Sequence, residues 1–335
     1  MTGEHGPWVD VHAHPGRCFL GGLEPSSRLV QMFGPDDSVN RVRSSATGEV
    51  AVVNTATVGD LAVIAPTAAG GLGAGREFEP GEAVRDHDRQ LDAVDALLAH
   101  HDIRTVLGPD DIHAAADAGT PGAFVSCEGG DFLDGGLDGL EQAYARGVRS
   151  ITLVHYRINE LGDIQTEDAR HHGLTPFGTE VVAEMNSLGM IVDLAHATFD
   201  ATVDALEASI APILISHSHL AAPGADHPRL LSEEHARLVA DAGGVIGAWP
   251  SGMVLGSLAD YCDEICRMVD VVGVEHVAIG TDLDANYQPV LTDYDQFPEV
   301  AAGLAARGLE PGEIDRVLGG NFIRLFEQVV AAAGA

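Results

Sequence analysis

The sequence predicts an α/β protein built as a (β/α)8 TIM-type barrel with insertions after strands 1 and 2. Two observations predict it. Eight short β-rich apolar runs are spread along 335 residues, and most intervals between them carry helical patterns. Histidines and carboxylates fall at the ends of these runs, which is where a barrel keeps its chemistry.

The runs are WVDVHAH from Trp8, VAVVNTATV from Val50, AFVSCEG from Ala123, RSITLVH from Arg149, MIVDLAH from Met190, PILISHS from Pro212, GVIGAW from Gly244 and HVAIGTD from His276. Their near-continuous hydrophobicity suits parallel strands buried on both faces. The helices between them have readable ends. In TPFGTEVVAEMNSLG, Thr175 is placed to cap, Pro176 fits the first turn and Gly189 stops the helix. Ser232 and Gly243 bracket SEEHARLVADAGG in the same way. Within the insertion after the second strand, the stretch from Val84 to His101 puts Leu91, Val94 and Leu98 on one helical face. The preceding TAAGGLGAG, from Thr67, lacks the strand-then-helix context of a dinucleotide fingerprint and reads as a flexible connection. No repeat of solenoid period and no clean linker divides the chain, so residues 1–335 read as one domain.

Composition narrows the chemistry. Fifty-one acidic residues face 18 basic ones for a formal charge of −33, and all the basic residues are arginine because the sequence has no lysine. Schiff-base catalysis, pyridoxal-phosphate catalysis and a Walker-type phosphate loop all require lysine and are excluded, as is a carbamylated lysine bridging two metals. So negative a chain is a poor partner for nucleic acid or an anionic membrane. Cys18, Cys127, Cys262 and Cys266 form no CxxC pair and suggest neither a disulfide framework nor a structural zinc site. The opening MTGEHGPWVD has no basic segment followed by an apolar run, and no stretch is long and apolar enough to span a bilayer, so a cytoplasmic location is expected.

Residues ending the runs are His12 and His14 on the first, Glu128 on the third, His155 on the fourth, His196 on the fifth, His217 on the sixth and Asp282 on the eighth. Two positions apart on a strand, His12 and His14 share a face and are placed to grip one cation. Glu128, a carboxylate, is able to bridge two cations, and with His196 and His217 it would complete a second site. A shared water on such a pair is acidified towards neutrality, and Asp282 is placed to take its proton. A single histidine near a strand end is more often structural than a ligand; the weight lies in so many converging. His87, His100, His101, His113, His171, His172, His235 and His276, in helical or loop context, read as structural or surface residues.

These residues resemble the renal or membrane dipeptidases, zinc peptidases with an amidohydrolase-like barrel. The resemblance is carried by VDVHAHPG at Val9, SCEGGDFLDGGLDGLEQAYARGVRSITLVH from Ser126, GLTPFGTEVVAEMNSLGMIVDLAHAT from Gly173, ILISHSH from Ile213, HPRLLSEEHARLVADAGGVIG from His227, HVAIGTDLD from His276 and GGNFIRLF from Gly319, in the family's order. It implies His12 as first ligand of one metal, Glu128 as the bridging carboxylate, and His196 and His217 as ligands of the other. His155 resembles the histidine that contacts substrate and stabilises the tetrahedral intermediate, Arg229 the arginine that engages the dipeptide near its carboxylate end, and Asp282 the proton-handling carboxylate. The family usually has HxD where this chain has His12-Ala13-His14. An imidazole in place of a carboxylate raises the cluster's charge by one unit. YRINELGD after His155 also departs from the family's asparagine-containing segment.

The expectation is therefore a binuclear metal-dependent dipeptidase with two divalent ions, zinc by resemblance, working through a metal-bridging hydroxide. Its partner is a small-molecule substrate, a dipeptide or related amide, and a homodimer follows from the resemblance. The competing reading is an amidohydrolase acting on a non-peptide amide, such as an N-acyl amino acid, or on a lactone. A non-catalytic, ligand-binding barrel is disfavoured, since it has no need of Asp282.

Overall fold

The computed structural model describes residues 5–38, 41, 50–68, 70–101, 103–222 and 227–334. Residues 1–4 of the opening segment and Ala69 of the Gly-rich loop lie outside them.

The expected strands all form. They are β1 (Trp8–Asp10), β2 (Val50–Val58), β3 (Gly122–Glu128), β4 (Val148–Thr152), β5 (Ile191–Asp193), β6 (Leu214–Ser218), β7 (Val245–Ala248) and β8 (Val277–Ile279). Each pairs in parallel with its neighbours, and β1 pairs with both β2 and β8, so the ring closes. Asp10 opposite Ile279 is the closing register. A two-residue strand, Arg104–Thr105, adds beside the start of β3.

After β1 come a 3-10 turn (Pro15–Leu20) and α1 (Arg28–Phe33). The second insertion holds α2 (Glu82–His100) and α3 (Pro109–Ala118), and Leu91, Val94 and Leu98 of α2 are buried as the helical face required. The connections that follow carry α4 (Asp138–Ala145), α5 (Pro176–Leu188), α6 (Phe199–Ala208), α7 (Glu233–Asp241) and α8 (Leu258–Val272). Thr175 caps α5 by accepting from the Gly178 N–H, and Gly189 ends it with a left-handed backbone that glycine adopts without strain. Ser232 caps α7 through the His235 N–H.

The flexible connection expected from Thr67 is instead half of a hairpin. Leu72–Ala74 pairs antiparallel with Ile64–Pro66. Left-handed Gly70 and Gly71 make the turn, and the small residues beyond it let two short edges approach.

A single apolar cluster contains Val9, Val52, Phe124, Ile191, Leu214, Val245 and Ala278, drawn from seven of the eight strands, together with Phe322 and Phe326 of the C-terminal helix Asn321–Ala333. Their strand neighbours Trp8, Val53, Val125, Val192, Ile215, Ile246 and Ile279 join the larger cluster under the outer helices, so by alternation these residues face the barrel interior. Most of these residues lie early in their strands, so the helix closes the end opposite the strands' carboxyl termini. Among the described residues, no helix is long and apolar enough to cross a membrane.

Candidate metal centre

The sequence-derived site residues meet at the open end of the barrel. Glu128, the last residue of β3, is buried at their centre. Its Oε1 lies 3.4 Å from His12 Nε2, 3.0 Å from His196 Nε2 and 3.5 Å from His217 Nε2. Its Oε2 lies 3.2 Å from His14 Nε2 and 3.3 Å from His155 Nε2. Asp282 Oδ1 is 3.5 Å from His14 Nε2. His196 and Asp282 follow their strands with left-handed backbones, φ 66° and 53°, which turn the chain sharply at the site.

Backbone and hydroxyl partners aim the rings. His14 Nδ1 bonds to the Ala56 carbonyl at 2.9 Å, leaving Nε2 facing inward. Ser216 Oγ lies 3.3 Å from His12 Nδ1 and 3.1 Å from His217 Nδ1, one hydroxyl serving two imidazoles. Arg229, buried on the segment before α7, donates to Gln165 Oε1 at 2.7 Å and to His196 Nε2 at 3.2 Å.

Three further residues complete the mouth, and none was singled out in the sequence. Asp60, just beyond β2, holds His155 Nδ1 at 2.7 Å with one oxygen and accepts the Tyr156 N–H at 2.9 Å with the other. The approach is tight: a Cβ on the preceding Gly59 would strike the Gly129 carbonyl. Trp249, the residue after β7, donates its indole N–H to Asp282 Oδ2 at 3.1 Å and places its ring 5.4 Å from the Arg229 guanidinium carbon. Ser216 is the third. With Asp60 and Trp249 counted, β2 and β7 also deliver polar groups, so every barrel strand contributes. An acidic residue or tryptophan at a strand end was the available signal.

Burial sets the electrostatics, and neighbouring charges then decide each sign. For His12 and His155 burial pulls the pKa down, but Glu128 beside His12, and Asp60 with Glu128 beside His155, push both up to about 9. His196 and His217 are driven well below their ordinary value by burial first, then by Arg229 and His12 respectively, and stay neutral. Burial alone would raise Glu128, yet the positive His155 and His12 hold it well below the usual carboxylate range. Asp282 is pushed up to about 6 by burial, against the pull of His14, His12 and the Trp249 hydrogen bond.

His12, His14 and Glu128 form one group of potential ligands and Glu128, His196 and His217 another, each with its ligand atoms within 4.8 Å of one another. A cation suits this arrangement. The buried Nε2 atoms of His12 and His14 have no hydrogen-bond partner although carboxylate oxygens lie 3.2–3.5 Å away. Atoms so close yet misaligned for hydrogen bonding are aimed at a common point. Bonds of about 2.0–2.1 Å to a tetrahedral zinc put its ligand atoms about 3.3–3.4 Å apart, the spacing seen here.

Comparison with known proteins agrees with this architecture. Dipeptidase tcpJ of Claviceps purpurea (strain 20.1) is 29% identical over 264 residues, covering 76% of this chain and 62% of the relative. Dipeptidase 3 of Mus musculus is 31% identical over 265 residues, covering 74% of this chain and 52% of the relative. The matched region thus spans between half and two thirds of these curated relatives. In fold, the chain is similar to a metallopeptidase from Rhodobacter sphaeroides solved with a phosphinate mimic of the dipeptide L-Ala-D-Ala, with a TM-score of 0.80, 18% identity and coverage of 97% of this chain and 100% of that one. The sequence profile of the membrane dipeptidases matches residues 41–335, and the chain belongs to that family, Peptidase family M19.

Proposed function

We propose that the chain is a binuclear metal-dependent dipeptidase and that residues 1–335 act as one catalytic domain. One observation carries the reading: two potential ligand groups share Glu128, with Asp282, His155 and Arg229 lining the same cavity. His12 and His14 would hold one cation and His196 and His217 the other, with Glu128 between them, a nitrogen-rich set suited to zinc. Two such cations, when bound, supply Lewis acidity that polarises the scissile carbonyl and acidifies the attacking water.

The remaining steps belong to the chain. Arg229, steadied by Gln165 and Trp249, orients the substrate carboxylate by paired N–H donors. His155 is held by Asp60 through Nδ1, so Nε2 faces the reacting carbonyl and stabilises its developing negative charge. Trp249 ties down Asp282 Oδ2 and leaves Oδ1 to take the water proton and return it to the leaving amine nitrogen.

A second reading, hydrolysis of an N-acyl amino acid or a lactone, is favoured by one feature. Glu128 and Asp282 are the only carboxylates among the described residues lining the cavity, so no spare acid meets a substrate ammonium. Metal analysis coupled to turnover of dipeptides, N-acyl amino acids and lactones tests both. Dipeptide hydrolysis with two metal equivalents supports the first reading; metal without dipeptide turnover refutes it.

A further inference from the structure

We propose that the site selects amides whose acyl side carries a bulky apolar group, a substrate class that rests on the dipeptidase reading above. A cavity opens at the mouth, lined by the Glu128 cluster, Arg229 and Asp282. One wall is apolar: Phe19 from the turn after β1, Phe33 of α1, Val58 at the end of β2, and Leu61, Ile64 and Leu72 from the hairpin region. This wall is preformed. Phe19, Leu61 and Ile64 are at most 2% exposed and pack in their own cluster, with Phe19 edge-on to Phe33 at 5.6 Å and to His14 at 5.3 Å.

Topology places the wall opposite the carboxylate anchor. Arg229 follows β6, and in the closed ring β6 lies four strands from β2 in either direction, diametrically across the mouth. The Glu128 cluster stands between. A substrate with its carboxylate on Arg229 and its scissile carbonyl at the cluster therefore extends its acyl substituent towards this wall, onto its half-buried members Phe33 and Leu72, which Phe19, Leu61 and Ile64 back. Among the described residues, no charged side chain of the wall lines the cavity, so an acidic or basic substituent would be desolvated beside them without a partner. An aliphatic one would leave water for matching apolar contact.

The probes are phosphinate mimics of Leu-Ala, Gly-Ala and Asp-Ala, titrated calorimetrically into metal-loaded enzyme. The Leu-Ala mimic is expected to bind about 10- to 100-fold more tightly than the Gly-Ala mimic, the difference that burying a leucine-sized side chain supplies. Phe33→Ser and Leu72→Ser, at half-buried wall positions, should each shrink that ratio, with thermal midpoints reporting whether the variants fold. Equal binding of Leu-Ala and Gly-Ala mimics, or an Asp-Ala mimic as tight as Leu-Ala, overturns the subsite and leaves the dipeptidase reading intact. Tight Leu-Ala mimic binding without hydrolysis of Leu-Ala supports the subsite and removes the dipeptidase reading; failure of every mimic to bind removes both.

Discussion

Replacing Trp249 by phenylalanine keeps an aromatic ring near Arg229 and removes one hydrogen bond, the indole N–H to Asp282 Oδ2 at 3.1 Å. A hydrogen bond to a charged group contributes about 1.5–3 kcal/mol. That donor favours the ionised carboxylate, so its loss favours the protonated form and raises the pKa of Asp282. At about 1.4 kcal/mol per unit, the rise is about one to two units. In the proposed mechanism Asp282 must be ionised to accept a proton, so the acidic limb of the pH dependence of kcat/KM should move to higher pH by that amount. The shift is the quantity to read, because bound cations lower the limb of both enzymes together. Trp8 supplies an internal control. Its indole nitrogen is buried with no hydrogen-bond partner, so Trp8→Phe should leave the limb in place. An unmoved limb in Trp249→Phe, or an equal move in Trp8→Phe, refutes the role given to Trp249.

Three more substitutions probe the centre. His14→Asp is expected to keep two metal equivalents by elemental analysis while moving the pH-rate profile to higher pH, since the cluster loses one unit of positive charge; an unchanged profile contradicts the charge argument. Asp60→Asn should lower kcat about 10- to 100-fold at constant metal content, with nitrogen-15 NMR reporting an altered His155 tautomer balance, and full activity would remove Asp60 from the mechanism. Ser216→Ala strips the shared partner from the outer nitrogens of His12 and His217, and chelator competition should show metal affinity about 10- to 100-fold weaker; equal affinity means the hydroxyl does not orient them.

The ring of strands was legible because parallel strands covered on both faces read as continuous apolar runs, and the helix ends because capping is local chemistry. The hairpin at Ile64–Pro66 and Leu72–Ala74 was not. Its glycines and alanines have little strand preference, and its pairing depends on packing beside Phe19 and Leu61. Asp60 in TVGDL looks like a turn residue, and Trp249 looks like core. Their functions arise from partners far along the chain, at His155 and Asp282. Ser216 was hidden by strand alternation, which sends neighbours to opposite faces. Yet both Ser216 and His217 serve the site, because the register between β6 and β7 shifts across that stretch: Ile215 pairs with Ile246, but Ser218 pairs with Ala248. Such an irregularity re-aims a side chain, and nothing in ILISHSH announces it.

A net charge of −33 looks hostile to the carboxylate-bearing substrate proposed above, and the fold separates surface from site. Surface charges act through water and salt, which screen them over about 8 Å at physiological ionic strength. Arg229 sits inside, 3% exposed, where screening is weak. Around it, His196 and His217 are neutral through burial and remain free to ligate at neutral pH. Without cations the proton-binding members of the cluster, His12 and His155, crowd positive charge around Glu128. At His12 a proton and a divalent cation therefore compete for the same nitrogen, and metal binding there should release a proton. The acidic exterior favours the divalent competitor, since it raises the local concentration of the more highly charged cation most. On the proposed reading, bound cations rather than the shell would then set the centre's field, and a carboxylate-bearing substrate would meet a locally positive mouth.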